Sequence, residues 1–220
     1  MSWTALFDRA RSHDATIETI SSVVNGRRDA PSSAEPAQQA DTPQEPSPAA
    51  IVVDADVWAA DLFGVDEAAT TAIDQLWQHT WIDVIASDAL LADAVAVIDA
   101  VVDASDDDTA TATDVSDESQ TSPSAAWRST LDAWRRRVTH PAGDHPALGS
   151  AYRGGAMHVL SYDDRLTGAG AAAALNDRFP ISIREPAAFA AVFNAESLFG
   201  SVHEVPYEGP DRPPRSSEAV

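Results

Sequence analysis

The 220-residue sequence contains no cysteine, and all 14 of its basic residues are arginine, so lysine is absent as well. Without cysteine there are neither disulfides nor thiolate metal sites, and redox chemistry says nothing about compartment. Long hydrophobic runs are also missing. None approaches the roughly 20 residues of a membrane span, and the segment after Met1 has no apolar core behind a basic start, so the expectation is a cytoplasmic protein without membrane contact. Basic charge is scarce: 35 acidic residues give a formal net charge of -21. The acidic excess persists over residues 51–200 when the most acidic stretch is set aside, which argues against a broad nucleic-acid-binding surface. High acidity without lysine, with much Ala, Asp, Val and Thr, is the composition expected of a halophilic protein whose self-repulsion is screened by concentrated salt.

What is present is organised around residues 51–58, Ile-Val-Val-Asp-Ala-Asp-Val-Trp. Three β-branched residues running into two aspartates read as a strand buried on both faces with charge at its carboxyl end. Open parallel sheets bind ligands at such ends, which singles out Asp54; the plainer reading of Asp54 is a helix cap.

Residues 1–26 carry Leu6, Ala10, Ile17, Ile20 and Val24 at helical spacing and read as an N-terminal helical appendage. Residues 27–50, dominated by Ala, Pro, Ser, Gln and Glu, read as a disordered linker, and the proline-rich residues 201–220 as a disordered tail. Between them, residues 51–200 form the expected domain. Strands are predicted near 51–53, 81–86, 157–160 and 180–183. Helices are predicted over 66–80, 88–102, 125–139, 144–154, 167–175 and 186–198, and residues 103–124, with acids and no base, as an acidic loop insertion. This alternation implies an α/β fold, a parallel sheet sandwiched by helices in a Rossmann-like three-layer arrangement. Trp58, Trp77, Trp81, Trp127 and Trp134 are expected in the core.

Four acids fall at corresponding places: Asp54 ends the first strand, Asp93 lies on the helix after the second, Asp144 opens the helix before the third, and Asp163 follows the third. In a doubly wound sheet these can converge at one edge. Carboxylates a few Å apart repel unless a cation lies between them, and hard oxygen ligands imply Mg²⁺ or Mn²⁺. Such a site can generate hydroxide and stabilise the leaving oxygen of a phosphodiester. Ser161 is expected to orient Asp163 or to cap the strand end. Asp56 and Asp164 either add contacts to metal or water or face solvent. Arg153 and Arg165 either meet a phosphate or pair with neighbouring aspartates, and His145 is either a ligand, a proton carrier or a surface residue.

The stretches Ile51-Val-Val-Asp54-Ala-Asp56-Val57, Ser87-Asp-Ala-Leu-Leu-Ala-Asp93, Gly143-Asp144-His-Pro-Ala-Leu-Gly-Ser-Ala151 and Ser161-Tyr-Asp163-Asp-Arg-Leu166, in this order, resemble the motifs of PIN-domain ribonucleases. The ending Ile183-Arg-Glu-Pro186-Ala-Ala-Phe189 is similar to that family's last strand and helix. The resemblance covers about residues 51–199. It implies a metal-dependent endonuclease, single-stranded RNA as substrate, Mg²⁺ or Mn²⁺ as cofactor, and Asp54, Asp93, Asp144 and Asp163 as both catalytic and metal-binding residues. The family commonly has Glu at Asp93, Asn or a similar polar residue at Asp56 and Gly at Tyr162. These departures motivate an alternative, a binding or regulatory module of the same fold with weakened catalysis. On that reading a protein partner meets the N-terminal segment or the acidic loop, and a homodimer is allowed. A more distant alternative is a haloacid-dehalogenase-type phosphatase, from Asp54-Ala-Asp56-Val57 with Asp163-Asp164; that chemistry normally needs a lysine, and none is present.

Overall fold

The computed structural model describes residues 3–13, 15–29, 43–107, 122–140, 145–168 and 180–215. Among these, five parallel strands form one sheet: β1 (Ser47–Val53), β2 (Asp83–Ser87), β3 (Arg136–Val138), β4 (Ala156–Leu160) and β5 (Ser182–Arg184), in the order β3-β2-β1-β4-β5. The α/β parallel-sheet expectation holds. β1 is central because every residue from Ala49 to Val53 is buried. Its side chains alternate between two apolar clusters, Ile51 and Val53 on one face, Ala50 and Val52 on the other, as the twofold period of a strand requires. The chain builds outward from β1 through β2 to β3, then returns to the other side of β1 for β4 and β5. The topological switch therefore lies between the carboxyl ends of β1 and β4.

The larger cluster packs α3 (Ala55–Phe63), α4 (Glu67–Trp77), α5 (Asp88–Asp107) and α6 (Pro123–Trp134) against the sheet, with Trp58 and Trp127 fully buried edge to face. α7 (Pro146–Gly154) supplies Ala147 and Ala151 to the opposite face. The chain closes through α8 (Asp164–Thr167), β5, α9 (Pro186–Val192) and α10 (Ala195–Val202).

Several boundaries differ from the sequence reading. Residues 1–26 are not a tethered appendage: Trp3, Leu6, Phe7 and Ala10 of α1 (Trp3–Ala10) and Ile20 and Val24 of α2 (Ile17–Asp29) are buried in the main core. The linker read over 27–50 is shortened at both ends by α2 and β1; residues 30–42 lie outside the described residues. The helix expected over 125–139 stops at Trp134, because buried Arg135 turns extended and donates to Ala86 O at 2.7 Å and to Asp88 at 2.6 Å. Residues 136–138 then become the edge strand β3. α5 runs on to Asp107, leaving 108–121 of the acidic insertion outside the described residues, as are 169–179, where most of another helix was expected. The closing helix is two, since Asn194 caps a fresh start by accepting from Ser197 N at 2.8 Å.

Residues 201–215 are not a free tail either. Arg215 is fully buried, donates to both oxygens of buried Asp61 at 2.6 and 2.9 Å and to Asp74 at 2.6 Å, and sits over the rings of Trp3 and Phe7. This clasp ties the end of the chain to α1, α3 and α4. Arg215→Met leaves Asp61 charged in the core without its partner, a loss of about 3–5 kcal/mol. Urea unfolding measures it; a loss below about 1 kcal/mol would show that the clasp contributes no more than a surface ion pair.

Candidate functional site

The carboxyl ends of β1 and β4 end in acids for a local reason. Asp54 and Asp163 are both helix N-caps: Asp54 accepts from Ala55 N at 2.8 Å to start α3, and Asp163 accepts from Arg165 N at 2.9 Å to start α8. The cap reading of Asp54 is met, and the cap stands at the switch point of the sheet.

Ser161 holds these acids in place. Its hydroxyl lies 2.9 Å from Asp54 Oδ2 and 3.3 Å from Asp56 Oδ2, and its oxygen accepts from Asp163 N at 3.0 Å. Asp56 is buried rather than solvent-facing and accepts from Val57 N at 2.7 Å and Tyr162 N at 3.0 Å. It thereby fixes the loop after β4 to the first turn of α3. Asp93, in the second turn of α5, brings its carboxylate to the same place from the β2 side.

A cation is already among them. Arg28, near the end of α2, donates through Nη2 to Asp54 Oδ1 at 2.6 Å and through Nη1 to Asp163 Oδ2 at 3.0 Å, and Nη2 lies 3.5 Å from Asp93 Oδ2. Burial alone would lower the pKa of Arg28; the carboxylates of Asp54, Asp56 and Asp93 outweigh it and hold the guanidinium protonated. Two atoms of this network are left over: Arg28 Nε and Asp93 Oδ2 are buried without a hydrogen-bond partner. Arg27 adds a longer contact to Asp93 Oδ1 at 3.4 Å.

The remaining candidates divide. Arg165 pairs with Asp163, Nε to Oδ1 at 3.0 Å and Nη2 to Oδ2 at 3.0 Å, and reaches Asn25 of α2 at 3.1 Å. Burial pulls the Asp163 carboxyl upward, but hydrogen bonds from Arg165 and the charges of Arg165 and Arg28 hold it below the usual aspartate range. Asp164 is exposed and, with Asp56, Tyr162, Asp163, Arg165, Ser21, Val24 and Asn25, borders a cavity of about 420 Å³ between α2 and the sheet edge. His145 caps α7 through Nδ1, which accepts from Ala147 N at 3.2 Å, so a neutral His145 carries its proton on Nε2, 4.0 Å from Asp163 Oδ2. Burial depresses its pKa against the pull of Asp54 and Asp163. Asp144 lies outside the described residues.

Arg153 does not belong to the site. α7 begins at the carboxyl edge and ends at the amino edge, where Gln44 N bonds to Arg153 O at 3.2 Å and Ala156 opens β4 beside Ser47. Nine helical residues carry the chain across the whole sheet, about 12 Å from the acids. Gly155, in the left-handed region at φ 65, closes that end because a Cβ there would stand 2.3 Å from Glu45 O.

Arg28 is the residue that sequence reasoning missed. Its place on the helix had a signal, since Ile20, Val24 and Arg28 recur every four residues and the cation continues the buried stripe of α2, but its partners had none. Ending the helical segment at residue 26 hid it.

The donor chemistry of Asp54, Asp93 and Asp163 fits a hard divalent cation, and Asp93 Oδ2, 3.5 Å from Arg28 Nη2, makes no hydrogen bond. Their spacing as it stands suits the guanidinium. Among the described residues, no three His, Asp or Glu side chains are drawn close enough to hold a metal ion.

Burial and the adjacent Asp54 push the Asp56 carboxyl well above the ordinary aspartate range. An acid with a raised folded-state pKa favours folding below its unfolded value, about 3.9, and loses that contribution as pH rises toward the folded value, about 1.4 kcal/mol per unit of elevation. Relative to Asp56→Asn, the wild type therefore becomes progressively less stable from about pH 4 upward. Thermal unfolding of both proteins against pH checks this; a pH-independent difference contradicts it.

Residues 45–215 match the model of DUF7384, a family of unknown function, and the chain belongs to that family. No curated protein and no solved structure matches it. Among the described residues no helix is long and apolar enough to cross a membrane.

Proposed function

Starting from membership of a family without an assigned activity, we propose that this chain is a metal-dependent endoribonuclease that hydrolyses phosphodiester bonds of single-stranded RNA with Mg²⁺ or Mn²⁺. One observation carries the reading: carboxylates reached from three strands, Asp54, Asp93 and Asp163, meet around a single cation at the topological switch point. Buried like charges have no reason to gather there for stability alone, since each costs desolvation and repels the others. The order of motifs that resembles PIN-domain ribonucleases supports the same reading and adds Asp144 to the set.

In this reading Asp54, Asp93 and Asp163 hold the metal ion, which when bound supplies an activated water and offsets charge on the phosphodiester. The protein's own part is positioning. Ser161 fixes Asp54 and Asp163 relative to each other, and Asp56 anchors Tyr162 so that the β4 loop keeps its shape. Arg165, at the border of the cavity, is placed to meet a phosphate oxygen, and Asp164 beside it to hold water. Neutral His145 turns its Nε2–H toward the acids, 4.0 Å from Asp163 Oδ2. The strongly acidic exterior restricts RNA to this crevice and makes high salt a condition for approach.

A second reading has its own observation. Because Arg28 already neutralises the acids, the same cluster also suits a module that binds a partner without catalysis.

The deciding assay is cleavage of end-labelled single-stranded RNA in molar KCl with Mn²⁺. It compares wild type and Arg28→Met, each with and without Asp54→Asn. Cleavage in the presence of Asp54, lost by at least about a hundredfold in the Asn variants, is expected. Folded proteins that cleave in no combination would overturn the enzyme and leave the binding module.

A further inference from the structure

The guanidinium of Arg28 stands among Asp54, Asp93 and Asp163, and these acids would have to draw closer to hold a divalent cation in its stead. We propose that α2 is a built-in latch, with Arg28 as an internal counter-ion that closes the crevice until a divalent cation displaces it. The inference rests on the metal-dependent reading above and adds its regulation.

Three independent features make this contact exchangeable rather than a fixed strut. First, the network is incompletely satisfied on both sides: Arg28 Nε and Asp93 Oδ2 are buried without a hydrogen bond, the latter held only by the ion pair with Arg28 Nη2 at 3.5 Å. Arg215 is the contrast, since all three of its guanidinium nitrogens donate to carboxylates. A divalent cation offers its ligands two charges and has no donor to leave unsatisfied, so it competes well for just these oxygens.

Second, α2 is lightly held. Ile20 and Val24 are its fully buried core hydrophobics, Ile17 and Val23 pack against the core half-buried, and Ser21, Ser22, Asn25 and Gly26 favour the helix weakly. Gly26, two residues before Arg28, has open space where a side chain would stand, so at that position nothing packs against the last turn. Third, a cavity of about 420 Å³ lies between Ser21 and Val24 of α2 and the loop of Tyr162, Asp163 and Asp164, crossed at its border by the hydrogen bond of Arg165 to Asn25 at 3.1 Å. Outward movement of the last turn of α2 widens a space already open and breaks the bond between Asn25 and Arg165, while Ile17, Ile20 and Val23 keep the start of the helix on the core. By contrast α1, with Trp3, Leu6, Phe7 and Ala10 buried and Arg215 against its rings, stays anchored. The hinge then falls within α2, beyond its start, which Thr16 caps by accepting from Thr19 N at 3.1 Å.

Coupling between two ligands of one site is reciprocal, so Mn²⁺ and the latch must weaken each other equally. Mn²⁺ alone, without RNA, is the probe. In calorimetric titration of the full chain, Arg28→Met is expected to bind Mn²⁺ about tenfold or more tightly than wild type. In the wild type, saturating Mn²⁺ is expected to speed amide hydrogen exchange in residues 20–28 and leave residues 3–10 unchanged. This second readout stands even if Arg28→Met does not fold. Equal Mn²⁺ affinity of the two proteins, or unchanged exchange in α2 at saturation, overturns the latch and leaves the nuclease reading standing. Tighter binding by Arg28→Met with no RNA cleavage keeps the latch and removes the nuclease. Absence of Mn²⁺ binding in both proteins, with folding confirmed by circular dichroism, overturns both.

Discussion

The structure depends on one electrostatic constraint: acids that cap helices at the switch point of a parallel sheet cannot stand together in a buried crevice without a cation. Asp54 and Asp163 are placed by the backbone, each at the junction of a strand and a helix, and Asp93 is brought to them by the first turns of α5. The chain answers with Arg28. Everything around that contact follows from it: Ser161 spaces the acids, Asp56 sits buried behind them, and α2 is drawn over the edge of the sheet although its own apolar stripe is short.

Two arginine clasps organise the periphery of this fold, and they differ in kind. Arg215 is enclosed by aromatic rings and paired with Asp61 and Asp74, so the end of the described chain belongs to the folded unit. Arg28 is enclosed by carboxylates at a crevice with a cavity beside it. With no lysine in the sequence, planar and permanently charged guanidinium groups carry every such contact, and each can engage two carboxylates at once.

The central architecture was legible because it is written locally. Ile51-Val-Val running into Asp54 specified a buried strand with charge at its carboxyl end, alternation of apolar runs and amphipathic stretches specified the parallel sheet, and Ser161 was recognised from its place between strand and acid. Long-range electrostatics were not legible. Nothing in the neighbourhood of Arg135 announces that its side chain will reach Ala86 and end a helix whose apolar spacing continues to Val138. Arg28 and Arg215 lie in polar stretches whose composition resembles disorder, and their partners are more than 20 residues away in sequence. Arg153 failed for a geometric reason: a short count of residues separates it from Asp144, but a helix converts that count into the full height of the sheet.

The central claim is that the acids at the switch point form a cation site that Arg28 and a divalent metal fill in turn. Crystals of the full chain grown in molar KCl and soaked in Mn²⁺ test it most directly through anomalous scattering at the manganese edge. An anomalous peak bounded by Asp54, Asp93 and Asp163, with Arg28 withdrawn from all three, is the predicted result. Arg28 still bonded to Asp54 and Asp163 at saturating Mn²⁺, with no peak between the acids, would contradict the account and make the cluster a purely structural ion pair.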